Sequence, residues 1–220
     1  LDGRPVIVDP GLPCYADDPA MRNLFRSTRY HNTVEVAGAE QNRFWPALLF
    51  RIVDDTRSRA VGWHADESGT SFAGCHAGYL RLPESALVRR ELRLAPDDTL
   101  AVRDLVELGG PAAVAWYFHC APEIAVELAG PQTGVAVSVP AGMELQSRWR
   151  LGPVLLSVWT GFSPPQLTGG TSMGWIAPRF GQRIAAPILE FRAQLSGRAE
   201  VLFVFAPGKS CSAAADGKQA

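Results

Sequence analysis

Apolar and polar residues alternate with a period of two over most of the chain, the pattern of strands that bury one face. The clearest pair occupies residues 86–94 and 100–108. In the first, Ala86, Val88, Leu92 and Leu94 alternate with Leu87, Arg89, Glu91 and Arg93. In the second, Leu100, Val102 and Val106 alternate with Ala101, Arg103, Leu105 and Glu107. The loop at residues 95–99 sets Leu94 opposite Leu100. That register places Arg90 against Asp104 in the otherwise apolar phase, and the two are expected to pair, because an inward charge without a partner is costly.

Shorter stretches of the same kind lie at residues 5–8, 33–36, 47–53, 58–63, 78–82, 113–119, 124–128, 135–139, 144–150, 154–159, 188–195 and 200–205. Turns containing Gly or Pro separate them, and residues 54–57 read as the turn of a hairpin joining 47–53 to 58–63. One helical turn is expected at residues 19–25, inside a polar loop over 15–29. Residues 163–174 form the longest irregular segment and read as a surface loop. There is no long amphipathic helix and no regular repeat. About fourteen short strands without crossover helices predict an all-β protein, a large antiparallel two-sheet sandwich. No linker-like shift of composition interrupts residues 1–207, which are expected to form one domain; residues 208–220 read as a tail.

A 220-residue chain that is 47% hydrophobic can build a sizeable core. Its net charge of −1 and its lack of basic runs interleaved with aromatics argue against nucleic acid. No apolar run is long enough to span a membrane. Cys14, Cys75, Cys120 and Cys211 show neither a C-x-x-C spacing nor a dense framework, so they read as buried small side chains. His119 and Cys120 are neighbours in a strand and so point to opposite faces, which disfavours a shared ion. The chain opens on Leu1 and enters a strand at once, and it is expected to be part of a longer protein.

Candidate chemistry concentrates between Asp9 and Val34, where an acid, a histidine, an amide, hydroxyls and arginines crowd one turn-rich segment. Asp9 and His31 are two good zinc ligands that need a third. They are read equally as a turn-starting acid and a structural histidine. Ser27, Thr28, Asn32 and Thr33 have the character of loop-organising hydrogen-bonders. Arg22, Arg26, Arg29 and Arg43 offer planar forks for carboxylate or sulfate, or simply solubility. No Gly-x-Ser-x-Gly elbow occurs, and the adjacent acids Asp17 and Asp18, Asp54 and Asp55, and Asp97 and Asp98 read as solvated turn residues rather than a glycosidase pair.

The run VDPGLPCYADDPAMRNLFRSTRYHNTVEVAGAEQNRFW, beginning at Val8, resembles the C-terminal β-sandwich of the heparinase II/III-like bacterial polysaccharide lyases, with their Val-Asp-Pro-Gly strand end and Arg-Ser-Thr-x-x-His-Asn-Thr-Val signature. HAGYLRLPESALVRREL, WYFHCAPEIAV and PRFGQRIAAPILEF follow in the family's order, so the resemblance spans residues 1–206. It implies a structural divalent metal, zinc in type, with Asp9 and His31 as ligands and a further histidine from a His-x-His-x-Asp motif upstream of Leu1. It also implies that Arg26, Arg29, Tyr30, Asn32 and Tyr15 meet an anionic, uronate-containing polysaccharide that is cleaved by β-elimination. The catalytic residues are expected mostly upstream of Leu1, in company with an N-terminal α-helical domain, so residues 1–220 alone are expected to be an incomplete catalyst. The resemblance places the protein in the periplasm or cell envelope. The rival expectation is a non-catalytic carbohydrate-binding or structural sandwich serving polysaccharide assembly or export.

Overall fold

The computed structural model describes residues 1, 3–130, 139–161 and 167–208. Among these, the alternating segments become β1 (Val34–Val36), β2 (Arg59–Asp66), β3 (Gly69–Tyr79), β4 (Ala86–Leu94), β5 (Leu100–His119), β6 (Val126–Ala129), β7 (Glu144–Leu151), β8 (Val154–Thr160), β9 (Thr168–Ile176) and β10 (Ile184–Pro207). One short helix, α1 (Pro19–Phe25), and a 3-10 turn (Thr28–Tyr30) precede them. The strands form one antiparallel sheet of ten, ordered β2-β3-β4-β5-β10-β8-β7-β6, with β1 added on β5 and β9 on β10. The all-β class holds. In place of about fourteen strands in a two-sheet sandwich, the described residues show ten in one continuous sheet, because residues 100–108 and 113–119 run on as β5, and 188–195 and 200–205 merge into β10.

Those two long strands give the sheet its layers. Phe191 and Phe203 lie twelve positions apart on β10, about 40 Å for an extended chain, yet their rings are only 5.3 Å apart. The strand therefore doubles back, at a register shift between Leu195 and Gly197, where Gly197 has a φ of +67°. β5 turns alongside it through Gly109, Gly110 and Pro111. One layer holds β1, the end of β5, the start of β10 and β9; the other holds β2, β3, β4, the remaining halves of β5 and β10, β8, β7 and β6. Trp116, Phe118, Phe191 and Phe203 interlock between them, all but removed from water.

The β4–β5 register is as the alternation predicts: Leu94 opposes Leu100 and Arg90 opposes Asp104. Arg90 grips the fully buried Asp104 with two bonds, Nε to Oδ1 at 2.7 Å and Nη2 to Oδ2 at 2.6 Å.

Other expectations are corrected. Residues 47–53 form no strand; they fold as a loop around Arg26, and the hairpin is instead β2–β3. Residues 168–174 of the expected loop are strand, because Gly169 and Gly174 let β9 lie against bulky neighbours: a Cβ at Gly169 would stand 2.8 Å from Trp149. Residues 5–8 make only a bridge from Ile7 to Cys120, flanked by bonds from Val8 to His119 and from Ala121 to Val6. The greater part of the expected strand at 135–139, part of the loop at 163–166 and all but the first residue of the expected tail at 208–220 lie outside the described residues.

Candidate functional site

The polar segment singled out by sequence folds across the outer face of the β1–β5–β10–β9 layer. α1 begins at Asp18, whose carboxylate accepts the Met21 N–H at 3.0 Å, with Pro19 in the first turn. The helix and the following turn then drop Phe25 and Tyr30 onto Ala115, Tyr117 and Ile188, a small second core outside the sheet. Ser27 donates to the Leu24 carbonyl at 2.7 Å, and Thr28 receives Gln41 N–H while giving its own N–H to Glu40. These hydroxyl residues organise the loop, as their chemistry predicts.

Asp9 and His31 meet at the end of this segment. His31 Nδ1 stands 2.8 Å from Asp9 Oδ2, and Asp9 Oδ1 accepts the Gly11 N–H at 2.9 Å. The side chains are 36% and 63% exposed, so the pair faces solvent. A carboxylate can only accept, so in this contact the donor is the N–H at His31 Nδ1. An imidazole nitrogen and a carboxylate oxygen are both zinc-type donors, but at 2.8 Å these two atoms stand at hydrogen-bond distance, closer than the roughly 3.3 Å between donors on a tetrahedral ion. In chemistry, though not in this spacing, the pair fits part of a zinc-type site. Among the described residues, however, no three His, Cys, Asp or Glu side chains gather on one metal position.

Asn32 holds His31 in place from behind. Its amide donates to the Val8 carbonyl at 2.9 Å, its Oδ1 accepts the His119 N–H at 2.7 Å, and its own carbonyl accepts Arg90 Nη1. One residue therefore ties the N-terminal segment and the end of β5, through its side chain, and the buried Arg90–Asp104 pair, through its carbonyl, to the loop. Sequence reading gave Asn32 both a loop-organising character and, by resemblance, a place on the substrate; the structure commits its polar atoms to the fold.

His119 is the residue that sequence reasoning set aside. It is buried, packs 5.3 Å from the Tyr30 ring, and has an Nε2 with no partner among the described residues. Burial, reinforced by His31 and opposed by Asp9, pushes its pKa down to about 4, so the ring is neutral. The available signal was its position in WYFHCAPEIAV, between residues that bury themselves.

The remaining candidates divide. Arg26 spends its guanidinium internally, on Asn23 Oδ1 and on the carbonyls of Trp45, Leu48, Leu49 and Arg51, and lies 4.0 Å over the Phe44 ring. Tyr30 is buried, and its hydroxyl accepts the Trp175 N–H at 2.9 Å. Arg29 is exposed. Tyr15, 56% exposed, packs 5.2 Å from Phe180 and 6.4 Å from Phe50, with Arg22 over Phe50, which makes an aromatic ledge that the sequence order had scattered.

A doubled-over antiparallel sheet with this signature loop pinned across one face defines a class of sheet domain, and the sequence comparisons identify it. The profile of the heparinase II/III-like C-terminal domain matches residues 1–214. The chain belongs to that family. Its fold is similar to the heparinase III BT4657 gene product (16% identity, TM-score 0.67, 96% of this chain and 30% of that one). It is similar also to the heparan sulfate lyase HepC from Pedobacter heparinus (13% identity, TM-score 0.66, 94% and 30%). A further heparinase III structure aligns with 15% identity and a TM-score of 0.64, over 94% of this chain and 28% of that one. The chain thus spans less than a third of the length of these proteins. No curated protein matches its sequence.

Proposed function

We propose that this chain is the sheet domain of a polysaccharide lyase that cleaves a uronate-containing anionic polysaccharide by β-elimination. Membership of the heparinase II/III-like family carries the reading, with the Asp9–His31 pair exposed on the family's signature loop. In such a reaction the uronate carboxylate is neutralised, a base takes the proton at C5, and an acid assists departure of the 4-oxygen. The domain supplies one wall of the cleft. Arg29 is an exposed cation suited to carboxylate or sulfate, and Tyr15 on its ledge gives an apolar ring for a sugar face. Arg26 and Asn32 serve the wall indirectly, by holding the loops that carry these groups.

Asp9 and His31 are two donors of a structural divalent metal, zinc in type, whose remaining ligands come from outside the described residues. When bound, the metal would lock the loop as a closed, protein-ligated cross-link. The proton-transfer groups of the reaction belong to an accompanying helical domain, and the substrate class places the protein in the periplasm or cell envelope. Among the described residues no helix is long and apolar enough to cross a membrane.

The test is ultraviolet detection of unsaturated product after the native-length protein meets heparan sulfate, hyaluronan or alginate, with His31→Ala alongside. Product that falls with the substitution is the expected result. Binding of polymer by a folded protein with no product from any of the three would replace the lyase with a carbohydrate-binding sandwich.

A further inference from the structure

Backbone polar groups of β1 and the residues beside it face alternately toward β5 and away from it. The Thr33 carbonyl accepts the Tyr117 N–H at 3.2 Å, and the Ala37 N–H donates to the Ala113 carbonyl at 2.7 Å. The carbonyls of Asn32, Val34 and Val36 therefore point to the free edge of the smaller layer, where each needs a partner. Val36 finds one locally, in the Ala39 N–H at 3.0 Å. The other two are met from the larger layer, Val34 by the Tyr79 hydroxyl at 2.8 Å and Asn32 by Arg90 Nη1.

Arg90 stands in the apolar phase of β4, where the alternation would place a hydrophobic side chain. Its fork holds Asp104 by one edge, through Nε and Nη2, which leaves Nη1 directed past the carboxylate to the Asn32 carbonyl. A buried ion pair contributes little net stability, and well-packed apolar residues serve a core as well. The bond to Asn32 is what an apolar pair could not supply. Asn32 in turn adjoins both members of the exposed Asp9–His31 pair: it follows His31 directly, and its amide donates to the carbonyl of Val8, the residue before Asp9. Contacts thus run from Asp104 inside the larger layer, through Arg90 across to the smaller one, and through Asn32 to the pair.

We propose that Arg90, held by Asp104, is a positioning residue for the Asp9–His31 pair. It fixes the Asn32 carbonyl and, through Asn32, the 2.8 Å contact between His31 Nδ1 and Asp9 Oδ2. The effect on the pair's geometry holds without substrate; the effect on product rests on the lyase reading given above.

NMR of isotopically labelled histidine in the native-length protein, stripped of metal by a chelator and held at one pH, reads the His31 ring, assigned by its loss in His31→Ala. Two variants cut the run of contacts without stranding a charge. Arg90→Lys keeps a cation for Asp104 but lacks the planar fork that reaches two partners at once, and Arg90→Met with Asp104→Leu replaces the pair by apolar side chains. Tyr79→Phe removes the neighbouring bond between the layers and leaves Arg90 in place, so it is the control for layer packing in general. In wild type the Nδ1 resonance is that of an N–H bonded to a carboxylate. In both Arg90 variants it is expected to move to the average of exchanging ring forms, with a thermal midpoint close to that of Tyr79→Phe. Product from whichever polymer the wild type cleaves should fall roughly 10–100-fold, the range for residues that orient a site's contacting groups. Tyr79→Phe is expected to keep both resonance and product. Unchanged His31 resonances in the Arg90 variants overturn the inference and leave the lyase reading standing. Equal changes in Tyr79→Phe overturn it too, since packing between the layers would then set the pair's geometry. A wild-type protein that yields no product removes the lyase reading, while the resonances still decide whether Arg90 positions the pair.

Discussion

Asp104 is fully buried and Arg90 half-buried, and each satisfies the other. The pair's net contribution is small because desolvation offsets the attraction, but removing one member leaves the other charge stranded. Asp104→Ala is therefore expected to destabilise the protein by about 3–5 kcal/mol, and the double variant Arg90→Met with Asp104→Leu to recover much of that loss, both read from urea denaturation. A second residue-scale prediction concerns His119. Its folded pKa of about 4 lies below the ordinary imidazole value, so between pH 6.5 and 4 the unfolded chain binds a proton that the folded chain refuses. Stability should fall as pH drops through that window and level off below it, by an amount on the order of 3 kcal/mol. Denaturation midpoints at pH 7, 5.5 and 4.5 check the sign, and His119→Phe should flatten the slope.

At the level of elements, what was legible in the sequence followed from local periodicity. The β4–β5 hairpin, with its register and its buried ion pair, could be read because strand alternation and loop length together determine which residues face each other. The helical turn expected at residues 19–25 is there as Pro19–Phe25. Residues 47–53 misled because an apolar run resembles a strand, whereas here its carbonyls turn inward to Arg26, a partner more than twenty positions away. β9 was hidden by its glycines and hydroxyls, which lower strand propensity but are what its close packing requires. Within the site, the closeness of Asp9 and His31 was readable from motif; the engagement of Arg26 and Tyr30 in packing, and the gathering of Tyr15, Phe50 and Phe180, depended on contacts across distant segments. Arg26→Ala should consequently loosen the loop at residues 44–51 rather than act on a ligand directly, seen as faster amide exchange confined to that loop and α1.

Over the whole molecule, two long bent strands make a single sheet serve as both layers, and the N-terminal segment is tied to this frame on both sides of Asp9. Before it, Ile7 bridges Cys120, Val8 bonds His119, and Asn32 reaches across to Val8; after it, the Pro10 carbonyl accepts the Ala177 N–H and Gly11 bridges Ala177. Asp9 lies between these ties and His31 on the neighbouring loop, so a metal held by both would cross-link segments twenty-two positions apart in sequence. A ligand that binds only the folded state stabilises it by about 2.7 kcal/mol at a hundredfold excess over its dissociation constant. For the native-length protein, stripping metal with a chelator is expected to lower the melting temperature by several degrees and zinc to restore it, with neither treatment moving Asp9→Asn or His31→Ala. Because Gly11 N–H remains bonded to an asparagine carbonyl at position 9, the Asn variant separates loss of metal from loss of the turn. Equal responses in wild type and both variants would leave Asp9 and His31 as a hydrogen-bonded pair whose role is to fix the loop.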